Sequence, residues 1–263
     1  MNIDRNRVIR CFAAYVRNFD RSDAGIVLKY QHSIRVSRII EKLAHGISLS
    51  DADTDLAWCI GVLHDIGRFE QLREYHTFID YRSVDHARYG AHYLFDEGHI
   101  RDFLSDASED SLIRLAVEQH NVFRLPDGLT PRQKQFCQLI RDADKIDIFR
   151  VYVTQLAGTN NIWHTDLSRL KTQSVSESVM AQARRMRTIR TEDKKTRMDF
   201  YVGVLCLYFE LAYPVSRQLA DEQGYYDTLL QFHSQNQQTE AGLDEIRHLA
   251  EQVRKQQDRD VFK

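Results

Sequence analysis

Four histidines and two aspartates, His32, His64, Asp65, His86, His120 and Asp144, are widely separated along the chain yet share one kind of setting. His32, His64, His120 and Asp144 each follow an apolar or small residue one helical turn earlier, namely Leu28, Ile60, Ala116 and Ile140. That spacing points them toward a helical interior. Asp144 is the most informative, because Phe136, Ile140, Ile148 and Val151 lie on or near its own face. A carboxylate on an apolar face is costly unless a positive partner neutralises it. A divalent metal is such a partner, and neutral imidazoles are its usual companions. In the tandem His64-Asp65, one oxygen of Asp65 can go to each of two metals. His32, His64 and Asp144 would complete one site, and His86 and His120 the other. The mixed nitrogen and oxygen set suits Fe, Mn, Zn, Ni or Co and is oxygen-poor for calcium.

The elements that must position these residues read as helices throughout. The pattern predicts a first helix over about Asp4 to Phe19 and a second from Asp23 to about Leu43, with His32, Val36, Ile39, Ile40 and Leu43 on one face. Gly46 ends it, and Ser48 or Ser50 starts the next, with Asp51 and Asp53 in its first turn. Leu56, Ile60, Leu63 and His64 form the inner face, and Gly67 is expected to break the turn after His64-Asp65. Glu74 to Asp80 reads as loop. Further helices are expected from Ser83 to Phe95, where Gly90 follows His86 by one turn and permits a close approach, from Glu109 to His120, and from Pro131 to Val153. Gly158 to His164 reads as loop, Met198 to Val215 as a buried helix, and Thr239 to Asp260 as a polar helix. Strand periodicity and internal repeats are both lacking.

Composition fits this reading. The 263 residues are 43% hydrophobic and 28% charged, with three prolines, so helix breakers are rare and a sizeable core is affordable. A formal charge of −2 gives no reason to expect nucleic acid as a partner. The apolar run 198–215 is too short and too charged, with Asp199 and Glu210, to span a membrane. It suits core or a homodimer surface. Cys11, Cys59, Cys137 and Cys206 lack metal or redox spacing and suit reduced thiols in a cytoplasmic protein. Arg184, Arg185, Arg187, Arg190, Lys194, Lys195 and Arg197 form a basic cluster. A solvated face is its ordinary reading, and a lip attracting a polyanionic substrate the alternative, weakened by Glu192 and Asp193.

The segments Gln31-His32-Ser33, Leu63-His64-Asp65-Ile66-Gly67-Arg68, Asp85-His86-Ala87-Arg88-Tyr89-Gly90, Glu118-Gln119-His120-Asn121 and Arg141-Asp142-Ala143-Asp144-Lys145-Ile146-Asp147 resemble the HD superfamily of metal-dependent phosphohydrolases, over roughly Lys29 to Arg150. The order His, His-Asp, His, His, Asp is similar to its six-ligand members, which include proteins that cleave dinucleoside tetraphosphates and the HD-GYP phosphodiesterases. The stretch His120 to Pro126 carries neither the Gly-Tyr-Pro signature nor the paired histidine of the latter. The resemblance implies an all-α helical bundle, taken over 20–157 with the N-terminal helix 1–19 joining its core; the change of character after about residue 157 reads as a helical extension, 158–263, packed on it. The resemblance also implies two divalent ions and hydrolysis of a phosphate ester or anhydride of a nucleotide or other small phosphorylated metabolite. The expected nucleophile is a hydroxide bridging the two ions. Arg68, where many relatives carry lysine, and Lys145 are placed to contact phosphate; ion pairs with Glu70 or Asp147 are the alternative. Two other functions are compatible with the same ligands: a di-iron oxygenase acting on a small polar substrate, and a non-catalytic, metal-stabilised sensor module.

Overall fold

The computed structural model describes residues 1–158 and 166–261, with side chains to residue 256. The expected loop Gly158 to His164 therefore lies almost wholly outside the described residues. The described residues contain helices and turns but no strand, so the chain is all-α. Two compact units divide at residues 147 and 148.

Unit one, Met1–Asp147, contains α1 (Arg5–Val16), α2 (Ala24–Gly46), α3 (Asp51–Leu63), α4 (Gly67–Tyr75), α5 (His86–Ala91), α6 (Ile100–Phe103), α7 (Asp110–Gln119) and the first part of α8 (Pro131–Leu156). The starts follow local chemistry. Asp4, Asp23, Ser50 and Asp85 are N-caps whose side chains accept backbone N–H groups of the first turn. α2 runs along α3, burying Val36, Ile39, Ile40 and Leu43 with Leu56, Ile60 and Leu63. On α8, Phe136, Leu139, Ile140, Ala143 and Ile146 are buried.

Two departures from the sequence reading bear on the site. Gly67 does not end a helix; it begins α4, which runs on to Tyr75 where loop was expected. The reason is tertiary. A Cβ at Gly67 would press on the His86 carbonyl oxygen and come within 2.5 Å of the Gly90 backbone nitrogen. Gly67 and Gly90 thus let α4 and α5 cross backbone to backbone, which draws His86 toward Asp65. The expected helix from Ser83 is also shorter. Asp85 caps its start, and a single π-turn, His92–Asp96, closes it.

Unit two, Ile148–Lys263, holds the rest of α8 together with α9 (Leu167–Thr172), α10 (Glu177–Ala183), α11 (Arg197–Leu205), α12 (Pro214–Gln223), α13 (Tyr225–Leu230) and α14 (Gln237–Val261). The apolar run after Met198 is mostly buried, with Phe200 exposed, and is not one continuous helix. α11 gives way to a tighter turn, Cys206–Glu210, and Pro214 opens α12. No helix among the described residues is long and apolar enough to cross a membrane. The basic cluster is broken up: Arg184 pairs with Glu177 and Glu245, and the Lys194 amine lies over the Phe200 ring. The four cysteines are free thiols.

Candidate metal centre

The six residues singled out by type and spacing meet within unit one. α2 supplies His32. The turn between α3 and α4 supplies His64 and Asp65, α5 opens with His86, His120 directly follows the last residue of α7, and α8 carries Asp144. All are buried except Asp144, whose side chain is 19% exposed. His32, His64 and Asp144 present atoms within 4.8 Å of one another, as do His64, Asp65 and His120.

Asp65 divides the cluster. Its Oδ2 lies 3.5 Å from His32 Nε2 and 3.7 Å from His64 Nε2. Its Oδ1 lies 3.3 Å from His86 Nε2 and 3.6 Å from His120 Nε2. Asp144 Oδ1 joins the first group, 3.1 Å from His32 Nε2 and 3.9 Å from His64 Nε2. The frayed end of α3 makes this division reachable, because residues 64–66 form a turn that aims both His64 and Asp65 inward.

The outer nitrogens of the four imidazoles are all engaged. His64 Nδ1 meets the Gly61 carbonyl at 2.8 Å, and His120 Nδ1 the Val117 carbonyl at 2.7 Å. His32 Nδ1 meets Asp147 Oδ2 and His86 Nδ1 meets Asp80 Oδ2, each at 2.7 Å. Carbonyls and ionised carboxylates only accept, so each Nδ1 carries a proton and each Nε2 is turned inward, where the neutral ring offers a lone pair. Two of these, on His32 and His64, are buried with no hydrogen-bond partner. The other two face each other at 3.0 Å. Facing lone pairs repel unless a cation sits between or beside them. This donor set fits divalent metal ions, with outer carboxylates and carbonyls fixing each ring as metal sites require.

Residues 30–148 match the family model described as HD domain. This part of the chain is an HD domain. That family consists mostly of metal-dependent hydrolases, and its members bind divalent metal. A search of curated proteins and a search of solved structures gave no match.

The electrostatics of the HD domain follow from burial set against its charges. Burial, reinforced by neighbouring imidazoles and opposed by Asp65 and Asp144, pushes His64 down to about 3. Burial and the Arg68 guanidinium push His86 down to about 4. Both rings are neutral near pH 7, the form that ligates. At His32, burial is outweighed by Asp144 and Asp147, which push it up to about 9. The same negative field favours any cation at its Nε2. Burial disfavours the Asp65 carboxylate, but Lys29 and the surrounding imidazoles hold it well below the usual range. Asp144, also against burial, is held low by His32 and His64.

Arg68 is anchored rather than free. Its Nη1 donates to Gln71 Oε1, the Phe78 carbonyl and Asp80 Oδ1, each at 2.7 Å. Its Nε is buried without a hydrogen-bond partner, 3.7 Å from Asp65 Oδ1. Its ion-pair partners are thus Asp80 and Asp65. Lys145 is buried on α8 beside Asp144. His76, His92 and His99 lie apart from the six: His76 is exposed, His92 pairs with Asp96, and His99 stacks on Tyr93. His45, His233 and His248 are exposed. Sequence reasoning assigned no role at the site to Lys29, Arg35 or Asp80, and named Asp147 only as a pairing partner. Lys29 and Asp147 each stand one turn from a ligand candidate, a spacing that could have found them. Asp80 lies on the segment between α4 and α5, where no periodicity marks it.

Proposed function

We propose that this protein is a metal-dependent phosphohydrolase that cleaves a phosphate ester or anhydride of a nucleotide or other small phosphorylated metabolite. The observation that carries the reading is the division of Asp65, with Oδ2 facing His32 and His64 and Oδ1 facing His86 and His120. A carboxylate so placed is suited to bridge two ions. His32, His64, Asp144 and Asp65 Oδ2 would hold one, and His86, His120 and Asp65 Oδ1 the other.

When bound, two such ions supply Lewis acidity toward phosphoryl oxygens and lower the pKa of a shared water toward neutrality. The chain itself supplies position and charge. Asp147 and Asp80 keep His32 and His86 in the tautomer that turns Nε2 inward. The unpartnered Nε of Arg68, at the Oδ1 edge of Asp65, suits a phosphoryl oxygen, where a fixed donor stabilises charge that develops during displacement. Lys145, next to Asp144, is a second cation for the same purpose.

The test is metal analysis of anaerobically purified protein, followed by a screen of nucleotides and phosphate esters with the metal found. Phosphate release in the wild type, with loss of both metal and release in Asp65→Ala at unchanged helical circular dichroism, is the expected result. Full metal content in Asp65→Ala, or oxygen uptake without phosphate release in the wild type, would overturn the reading.

A further inference from the structure

Lys29 lies on α2 one turn before His32 and on the same side of the helix. Its Nζ is 2.7 Å from Asp65 Oδ2, the oxygen that also faces His32 and His64. Lys29 therefore stands within one ligand's width of whatever that edge of the carboxylate holds. Its side chain is 18% exposed where that of Asp65 is 3% exposed, so Lys29 lies at the edge of the buried centre. Among the described residues Asp65 is its hydrogen-bond partner and no second one is present. An ammonium has three donors, so two are left over.

Neighbouring cations are committed differently. Arg35 spends Nε and Nη2 on Asp147, at 2.7 and 2.9 Å. Arg68 spends Nη1 on three acceptors and keeps Nε for the Oδ1 edge of Asp65. Lys29 and Arg68 thus flank one carboxylate, on opposite oxygens. Both pack on the Phe78 ring, with charged groups 5.6 and 5.9 Å from its centre. A tetrahedral anion reaching both halves of the centre meets a donor at each side, held in place by one aromatic ring.

We propose that Lys29 is a substrate-binding residue, whose ammonium donates to a non-bridging oxygen of the phosphoryl group opposite Arg68. This rests on the phosphohydrolase reading. The competing role is structural, a counter-charge that only holds Asp65 ionised and oriented. The two separate on metal content. A structural counter-charge shapes the ligand set, whereas a phosphate donor leaves the ions in place and lowers anion affinity.

The experiment uses the full chain reconstituted with Mn²⁺ and titrated with inorganic phosphate by calorimetry, with bound metal measured on the same samples. Lys29→Met is expected to keep the wild-type metal content and to weaken phosphate at least about tenfold, the scale of one lost charge-assisted hydrogen bond. Lys29→Arg, which keeps a donor, is expected to stay within about threefold. Unchanged phosphate affinity in a fully loaded Lys29→Met protein overturns the assignment and leaves the phosphohydrolase reading standing. Loss of metal in Lys29→Met also overturns it, in favour of the structural role. A loaded wild type that binds no phosphate sinks the phosphohydrolase reading itself, and this assignment with it.

Discussion

His32 and Asp147 are 115 positions apart in sequence, and His32 Nδ1 lies 2.7 Å from Asp147 Oδ2. Asp147 is gripped in turn by Arg35, so one buried carboxylate fixes both the tautomer and the rotation of an imidazole that faces Asp65 and Asp144. Outer partners of this kind are typically worth about 10- to 100-fold in metal affinity. Asp147→Ala is expected to fold, since the lost group makes no backbone hydrogen bond, and to bind metal about 10- to 100-fold more weakly. Competition against a chromogenic chelator measures this. Wild-type affinity would show that His32 needs no such partner.

Gly67 and Gly90 give a second prediction, independent of any ligand. A methyl group at position 67 meets backbone on α5, the His86 carbonyl and the Gly90 nitrogen, and not the end of a flexible side chain. Such overpacking typically costs about 1–3 kcal/mol. Gly67→Ala is expected to lower stability in urea titration by at least that amount, and to weaken metal at the His86 and His120 side by displacing α5. Unaltered stability would mean that the two helices separate freely.

These two cases show what was legible in the sequence. The ligand candidates sit on helices or within two residues of a helix end, where a 3.6-residue period still states which face is inward, and the helical class followed from the same period. Gly67 was misread because a glycine serves a tight turn and a close helix crossing equally well, and only the partner backbone distinguishes them. Asp80 was silent for a different reason. It lies off any α-helix, at the start of a single 3-10 turn, and its tie to Arg68 and His86 depends on where the segment after Tyr75 folds back. Lys29 was visible as a position but not as a role, since a lysine at a helix surface is ordinarily just solvated.

Unit two carries a pH dependence of its own. Asp199 is fully buried, and its carboxylate accepts the Ser176 backbone N–H at 2.7 Å, the Ser176 hydroxyl and the Lys195 N–H at 2.8 Å, and the Thr196 N–H at 2.9 Å. Burial raises its pKa, but these donors more than offset that and hold it below the usual value. A depressed carboxylate contributes stability that is fully present above its unfolded pKa, roughly 4, and is lost as pH falls through the folded value. Asp199→Asn turns one acceptor into a donor that faces other donors. It is expected to cost about 3 kcal/mol near neutrality. The gap from wild type should narrow as the pH falls below about 4. Denaturant titrations of both proteins at a series of pH values test the sign. A gap that widens in acid would contradict it.

Metal should also appear as stability, and His64 is the position at which to read it. Its Nε2 is buried without a partner, and its ring is neutral across the physiological range. Four inward Nε2 atoms and two carboxylates are an arrangement the folded chain can offer a cation and the unfolded chain cannot. Binding confined to the folded state adds about 4 kcal/mol when free ligand exceeds Kd a thousandfold. For a chain of this size that is on the order of 10 °C in the unfolding temperature. Adding Mn²⁺ or Zn²⁺ to chelator-stripped wild type is therefore expected to raise the melting temperature by about that much, and chelator to reverse it. His64→Ala will melt lower than wild type in chelator, because a buried ring is removed. The informative quantity is its metal-dependent increment, which should fall to a few degrees or less. An increment equal to that of the wild type would place the ions elsewhere than between His32, His64, Asp65 and Asp144.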